Sequence, residues 1–178
     1  IAGYVINCVG RGNEITYKKS RISSSLSDQA ALNIIKNFGK KYIIEDFYPW
    51  GSDEKQFCSP GFNLPIGLIM RKKFDKFKEY HTSLDNKNFI STKILIETIN
   101  IYYQVLKTIE NNFTPLAKIQ YGTPQLSKSK IPLYRSKMNW HIKKMENKTK
   151  VMLEILSFAD GKINMIEIAN KRNFKLIE

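Results

Sequence analysis

The chain has few of the residue types that form covalent cross-links or metal clusters. Its 178 residues include only two cysteines and two histidines. Cys8 and Cys58 do not lie in a C-x-x-C spacing. Two thiols without a disulfide framework suit a reducing compartment. The cytoplasm is therefore the expected location.

Long hydrophobic runs are also missing. No apolar run approaches the roughly 20 residues that a membrane helix needs, and the first residues show no signal-peptide pattern. The sequence therefore predicts no membrane association. A hydrophobic content of 42% with 12% aromatic residues is typical of a folded protein. A chain of this length can bury one sizeable core, or one core and a small satellite.

Arginine is scarce although the chain is basic. The formal net charge is +13, yet 24 of the 29 basic residues are lysine and only five are arginine. The lysines are scattered and form no dense block interleaved with aromatic residues. The lysine bias also fits AT-rich coding. Nucleic-acid binding is therefore not expected as the main role, although the charge alone would suggest it.

The hydrophobic pattern predicts alternating strands and helices. A capping box at Ser25–Asp28 indicates the start of a helix that ends at Gly39, and a long helix is expected from about Ile90 to Asn111. The predicted strands are residues 2–9, Ile15–Tyr17, Tyr42–Phe47 and Pro65–Met70. This order indicates an α/β sandwich.

The long predicted helix carries an apolar stripe at 4-3-4-3 spacing. The stripe is expected to pack on the sheet and not to bind a partner. Its members are Leu95, Ile99, Tyr102, Leu106 and Ile109, widened by Ile94, Ile101 and Val105.

The composition changes after the long helix. Prolines, glycine, serines and lysines between residues 113 and 137 indicate a boundary, with a linker at 126–137 and a small second domain at 138–178. Helices are expected at Lys150–Phe158 and Ile163–Asn170, joined by an Asp160-Gly161 turn. This is the opening of a winged-helix or helix-turn-helix unit. The third helix of such a unit would lie after Phe174, so the unit would be incomplete in this sequence. A small packing domain is therefore the favoured alternative.

The most informative segments are the long loop 49–64 and residues 79–86. Long ordered loops are usually functional. Asp53 in that loop could position a proton donor or orient a substrate amine. His81 is followed by Asp85, which could fix the imidazole tautomer or cap the next helix. His141 lies in a solvated stretch and is interpreted as a surface residue.

These segments carry a resemblance. Gly51–Gly67 and Glu79–Asn86 resemble the signature of bacterial aminopeptidase-like domain proteins that end in a winged helix. More distantly, the order of motifs is similar to zinc aminopeptidases and glutaminyl cyclases. The resemblance covers residues 1–125 as the catalytic part, and the tail looks like the family's helix-turn-helix. It implies a partial three-layer α/β sandwich of the zinc-aminopeptidase, phosphorylase-like type.

The resemblance also implies roles for individual residues. His81 matches the last zinc ligand, and Asp53 matches the catalytic loop aspartate beside the reacting amide. Glu54 and Phe57 fall at substrate-binding positions, although several relatives have His where Glu54 stands. Asp85 would support His81 from behind. The implied substrate is a peptide or aminoacyl amide with a free amine.

The chain departs from the family pattern in two ways, and both limit the function that the resemblance implies. The general base and at least two other zinc ligands would precede Ile1, so the chain is expected to be the C-terminal part of a longer hydrolase, inactive alone and without tight zinc binding. Asn7-Cys8 stands where two-zinc relatives have aspartate, which favours one zinc over two. The alternative is a non-catalytic binding module whose helix-turn-helix mediates contacts. An open sheet edge would favour a homo-oligomer.

Overall fold

A computed structural model describes residues 1–125 and 147–177. They fall into two units. The first contains Ile1–Asn111 together with the segment from Lys175 onwards, and the second contains Asn112–Phe174. The predicted linker at 126–137 and His141 lie outside the described residues, so both stay predictions.

The first unit is built on a mixed four-stranded sheet in the order β1-β4-β2-β3. β1 is parallel to β4 and β2 is parallel to β3, whereas β2 and β4 are antiparallel. The strands are Gly3–Ile6 (β1), Ile15–Lys18 (β2), Tyr42–Glu45 (β3) and Ile66–Met70 (β4). All four predicted strands are confirmed, most of them shorter than their apolar runs.

Helices contact both faces of the sheet, because β2 buries side chains on both of its faces. α1 spans Leu26–Lys36 and begins with the predicted capping box, in which Ser25 and Asp28 exchange hydrogen bonds. The buried Asp28 carboxylate also accepts a hydrogen bond from the Tyr17 hydroxyl of β2 at 2.8 Å. This buried contact holds α1 on one face of the sheet. The short helix α2, Glu54–Phe57, contacts the opposite face through Lys18.

The long helix α3 spans Thr92–Glu110, is capped by Ser91 and packs against α1. The prediction of its buried face is partly wrong. Ile99 is 67% exposed and Leu106 is 53% exposed. The buried residues of the helix are Ile94, Thr98, Ile101, Tyr102, Val105 and Thr108. Apolar residues on two faces left the spacing ambiguous, and the packing follows the face that contains the two threonines.

The second unit contains α4, Asn147–Phe158, and α5, Met165–Arg172. Both predicted helices and the turn between them are confirmed. Asn164 caps the start of α5, and Asn173 ends it in a left-handed conformation. Met165, Ile166, Ile168 and Ala169 are buried. Within the part of the chain that the structure describes, no helix is long and apolar enough to cross a membrane.

Candidate functional site

The site forms where β1 and β4 end side by side. Because these strands are parallel, their carboxyl ends lie at the same edge of the sheet, where open α/β sheets usually place their ligands. The Cys8 carbonyl after β1 accepts hydrogen bonds from the backbone N–H groups of Arg71 (3.0 Å) and Lys72 (3.4 Å) after β4. Cys8 itself has a φ of 51°, and the Asn7 side chain accepts a hydrogen bond from its N–H at 2.7 Å. The two strand ends are thus fixed to each other.

Asp53 stands exposed at the start of α2. Its backbone occupies the N-cap position, but its side chain makes no capping hydrogen bond. No hydrogen bond or ion pair joins its carboxylate to another described residue. The carboxylate is therefore available to a ligand.

A buried ion pair anchors the loop that presents Asp53. The Lys18 ammonium lies 2.7 Å from Glu54 Oε1 and 2.7 Å from the Trp50 carbonyl, and 3.7 Å from the centre of the Tyr48 ring. Both charged side chains are 0% exposed. Burial lowers the pKa of Lys18 below its ordinary value, and the hydrogen bond to Glu54 opposes that shift. Glu54 thus lies inside the fold, with Oε2 lacking a hydrogen-bond partner among the described residues.

Contacts connect this loop to the segment that contains His81. Asn7 Nδ2 donates to Ser52 Oγ at 2.9 Å. A Cβ atom on Gly51 would lie 3.3 Å from the Phe74 ring, so the loop passes directly under that ring. Phe74 contacts Tyr80 at 5.9 Å between ring centres, and Tyr80 stacks on His81 at 4.0 Å. The structure therefore brings the segments of Asp53 and His81 into one neighbourhood.

His81 and Asp85 are both exposed in the second segment. His81 has a φ of 59°, and its imidazole stacks on the Tyr80 ring. Among the described residues no hydrogen bond links Asp85 to His81. Asp85 instead lies near Cys8, where burial first and the Asp85 charge second raise the pKa of the thiol to about 11. Phe57, the other proposed substrate contact, is 43% exposed on α2.

A cavity of about 210 Å³ opens beside Tyr80 and Asp85. Its lining combines aromatic, aliphatic and charged side chains. They come from the segment after β1, from Lys72 after β4, and from the chain between Phe77 and the first turns of α3.

The described residues do not form a metal centre by themselves. A catalytic zinc normally takes three protein ligands. No group of three or more His, Cys, Asp or Glu side chains in residues 1–125 and 147–177 could hold a metal ion. His81 is the sole imidazole in those ranges. The described residues therefore do not fit a zinc ion as a complete ligand set.

Several residues of the site were missed by the sequence reasoning. Lys18 was missed because its partner Glu54 lies 36 residues further along the chain. The aromatic residues Phe74, Phe77 and Tyr80 were missed because a contact between loops leaves no periodic pattern. Asn7 was considered only as a missing metal ligand, whereas it fixes both Cys8 and Ser52.

Comparison with known proteins identifies similar chains. The family model described as "Domain of unknown function (DUF4910)" matches residues 1–112. A Clostridium acetobutylicum protein named "Putative polysaccharide biosynthesis protein with aminopeptidase-like domain" is 36% identical, over 95% of this chain and 38% of its own length. A crystal structure described as a putative peptidase from the same species is 32% identical with a TM-score of 0.83, covering 98% of this chain and 37% of that chain. The chain thus spans well under half the length of these two relatives.

Proposed function

The chain belongs to the family described as a domain of unknown function (DUF4910), and we propose that it supplies one wall of the substrate site of an aminopeptidase-like hydrolase. The names of its two relatives support a peptidase-like role. The substrate would be a peptide or aminoacyl amide with a free amine close to the amide that is cleaved.

The observation that carries this proposal is the carboxylate of Asp53, which has no partner among the described residues and lies on a loop anchored by a buried ion pair. Such a carboxylate accepts strong, charge-assisted hydrogen bonds from an ammonium group. Support comes from the buried Lys18–Glu54 pair, which anchors the loop, and from the contacts of Gly51 with Phe74 and of Phe74 with Tyr80, which connect the loop to the segment of His81. Asp53 would bind the amine and so orient the neighbouring amide.

The proposed fold of the longer protein is a three-layer α/β sandwich of which this chain forms part. Support comes from α1 and α2, which contact opposite faces of the sheet through Tyr17 and Lys18. The second unit would be the start of a winged helix, supported by the pair of helices α4 and α5, of which α5 is capped by Asn164.

Zinc enters the proposal through His81 alone. The imidazole would be one ligand of a single zinc ion, which would polarise the scissile carbonyl in the longer protein. Other ligands and the general base would come from the part of the relatives that this chain does not match. A second zinc is not proposed. Asn7 stands near the position of the second zinc's aspartate ligand, and its side chain is already hydrogen-bonded to Ser52 and to the Cys8 N–H.

A chimaera provides the test. This chain would replace the matching 38% of the Clostridium acetobutylicum relative, and the product would be assayed for bound zinc and for hydrolysis of aminoacyl 4-nitroanilides. His81→Ala should abolish zinc retention and hydrolysis. Asp53→Asn should lower kcat/KM by about tenfold or more, because the substrate amine loses a charged acceptor.

Asp46→Asn is the matched control, since Asp46 is an exposed carboxylate on the same connection. Zinc and activity that survive His81→Ala would refute the proposal. The competing idea of a non-catalytic binding module predicts that all three variants behave like the parent. Tight stoichiometric zinc in the isolated chain would also contradict a shared site.

A further inference from the structure

The cavity beside Tyr80 has an aromatic wall. Phe77 and Phe89 stack at 5.4 Å between ring centres with an interplanar angle of 21°, and Tyr80 packs edge-on against Phe77 at 5.6 Å. Val9, Ile90 and Leu95 complete an apolar lining. At about 210 Å³ the space is several times the ~30 Å³ that one water molecule occupies in the liquid. It can hold a group of the size of an amino-acid side chain.

Two cations flank this stacked pair. The Arg11 guanidinium lies 5.5 Å from the centre of the Phe89 ring and donates to the Phe89 carbonyl at 3.3 Å. The Lys72 ammonium lies 5.6 Å from the centre of the Phe77 ring. Both residues line the cavity.

Neither cation is neutralised within the part of the chain that the structure describes. No carboxylate there lies within ion-pair distance of Arg11 or Lys72. Neighbouring cations differ in this respect, because Arg71 pairs with Glu97 and Lys73 pairs with Glu45. Two unpaired cations at one apolar cavity favour an anionic ligand.

The remaining polar groups do not change that balance. Cys8 lines the cavity as a neutral thiol, since burial and Asp85 hold its pKa near 11. Asp85 is the one carboxylate among the lining residues, against two cations. The cavity therefore carries a net positive charge beside an aromatic surface.

We propose that this cavity binds an aryl or branched alkyl group that carries a carboxylate. The apolar group packs against Phe77, Tyr80 and Phe89, and the carboxylate lies between Arg11 and Lys72. The cavity adjoins the proposed substrate site, because its Tyr80 stacks on His81. Identifying the ligand as part of the substrate therefore rests on the proposed function. The substrate class is then an amide whose apolar portion bears an acidic substituent.

Three small probes of one shape test the idea on the 178-residue chain. They are 3-phenylpropionate, the neutral 3-phenylpropanamide and the cationic 3-phenylpropylamine, titrated while amide signals are followed by NMR. We expect the carboxylate to bind on the order of fivefold more tightly than the neutral amide, with the amine weakest. The preference should shrink as salt is raised, because the cations are partly solvated.

Variants then assign the preference to residues. Arg11→Gln and Lys72→Gln should each reduce the ratio of carboxylate to amide affinity, and the double variant should bring it to about one. Lys36→Gln on the exposed end of α1 is the control and should leave the ratio unchanged. The signals of Val9, Phe89 and Ile90 should shift most.

Equal binding of the three probes, or tightest binding of the amine, would overturn the inference even if a variant failed to fold, because the parent chain alone decides it. Signal changes confined to Ile99 and Tyr103, on the outer face of α3, would also overturn it. The outcome is independent of the chimaera. If the chimaera has no hydrolytic activity, selective binding of the carboxylate probe would still support the cavity proposal. If the chimaera is active but the chain does not prefer the carboxylate probe, the cavity proposal is refuted.

Discussion

Lys18 determines how the loop before Asp53 is held. It is a fully buried ammonium group that contacts a carboxylate, a carbonyl and two aromatic rings. A buried charge left without its partner is strongly destabilising, whereas an apolar pair of similar volume is often tolerated. Lys18 and Glu54 therefore act as one unit.

This unit makes a stability prediction. Lys18→Met should lower the free energy of unfolding by about 3–5 kcal/mol, because Glu54 is left buried and unpaired. The double variant Lys18→Met/Glu54→Leu should lose less than Lys18→Met alone. Urea denaturation measures both. The exposed Lys19–Asp46 pair is the control, and Lys19→Met should cost less than about 1 kcal/mol. A cost that small for Lys18→Met would contradict the role of the ion pair.

A second prediction concerns the reactivity of the Cys8 thiol. Its thiol pKa is raised to about 11, by burial and then by Asp85. The thiolate is the reactive form, so alkylation of Cys8 should be slow at pH 7 and should accelerate up to about pH 11. In Asp85→Asn the profile should move to lower pH, since a negative neighbour no longer opposes thiolate formation.

The measurement is the rate of iodoacetamide labelling against pH in a Cys58→Ser background. Cys58 is buried, with its Sγ 3.3 Å from the carbonyl oxygens of Leu64 and Ile66. Because the chain has two cysteines, replacing Cys58 leaves Cys8 as the thiol that is labelled. An identical profile with and without the Asp85 carboxylate would show that the two groups do not interact.

Among the elements, α3 shows what a hydrophobic pattern does and does not determine. Its existence and length follow from sequence, and it begins and ends within two residues of the expected positions. Its rotation does not. Ile96, Ile99, Tyr103 and Leu106 form an exposed apolar face, while Thr98 is buried and donates to the Ile94 carbonyl at 2.8 Å. A threonine that satisfies its hydroxyl within the helix can be buried as readily as an aliphatic residue.

Matched substitutions on α3 test this orientation. Ile101→Ala removes a fully buried side chain and should lower the free energy of unfolding by about 2–5 kcal/mol. Ile99→Ala removes the same atoms from an exposed position and should change it by less than about 0.5 kcal/mol. Urea midpoints of the two variants decide the matter. Equal losses would place both residues in the core and refute the orientation described.

The capping box and the four strands were predictable because their signals are local. The Ser25–Asp28 hydrogen bonds need only adjacent residues, and each strand is a short apolar run. For the candidate site, the sequence indicates the segments and not the contacts between them. Lys18 contacts Glu54, and Gly51 contacts Phe74, only after the sheet has brought distant residues together. The spacing of residues along the chain does not predict such pairs.

For the whole molecule, the net charge of +13 is distributed over residues with different roles. Lys18 and Arg71 are buried and paired with acids, so they contribute to stability more than to the surface field. Arg11 and Lys72 lie at the cavity and remain unpaired among the described residues. The overall charge alone would suggest a nucleic-acid partner, whereas the small anionic ligand proposed above depends on Arg11 and Lys72 only.

The pairing of β1 with β4 has a consequence for how the first unit folds. Gly3 pairs with Ile66, so β2, α1, β3 and α2 all lie between two neighbouring strands. Closing so long a loop costs conformational entropy before the strand contacts form. Parallel pairing of this kind gives a high contact order and slow folding. During synthesis β1 therefore leaves the ribosome well before β4, and it acquires this hydrogen-bonded neighbour only after the intervening elements have been made.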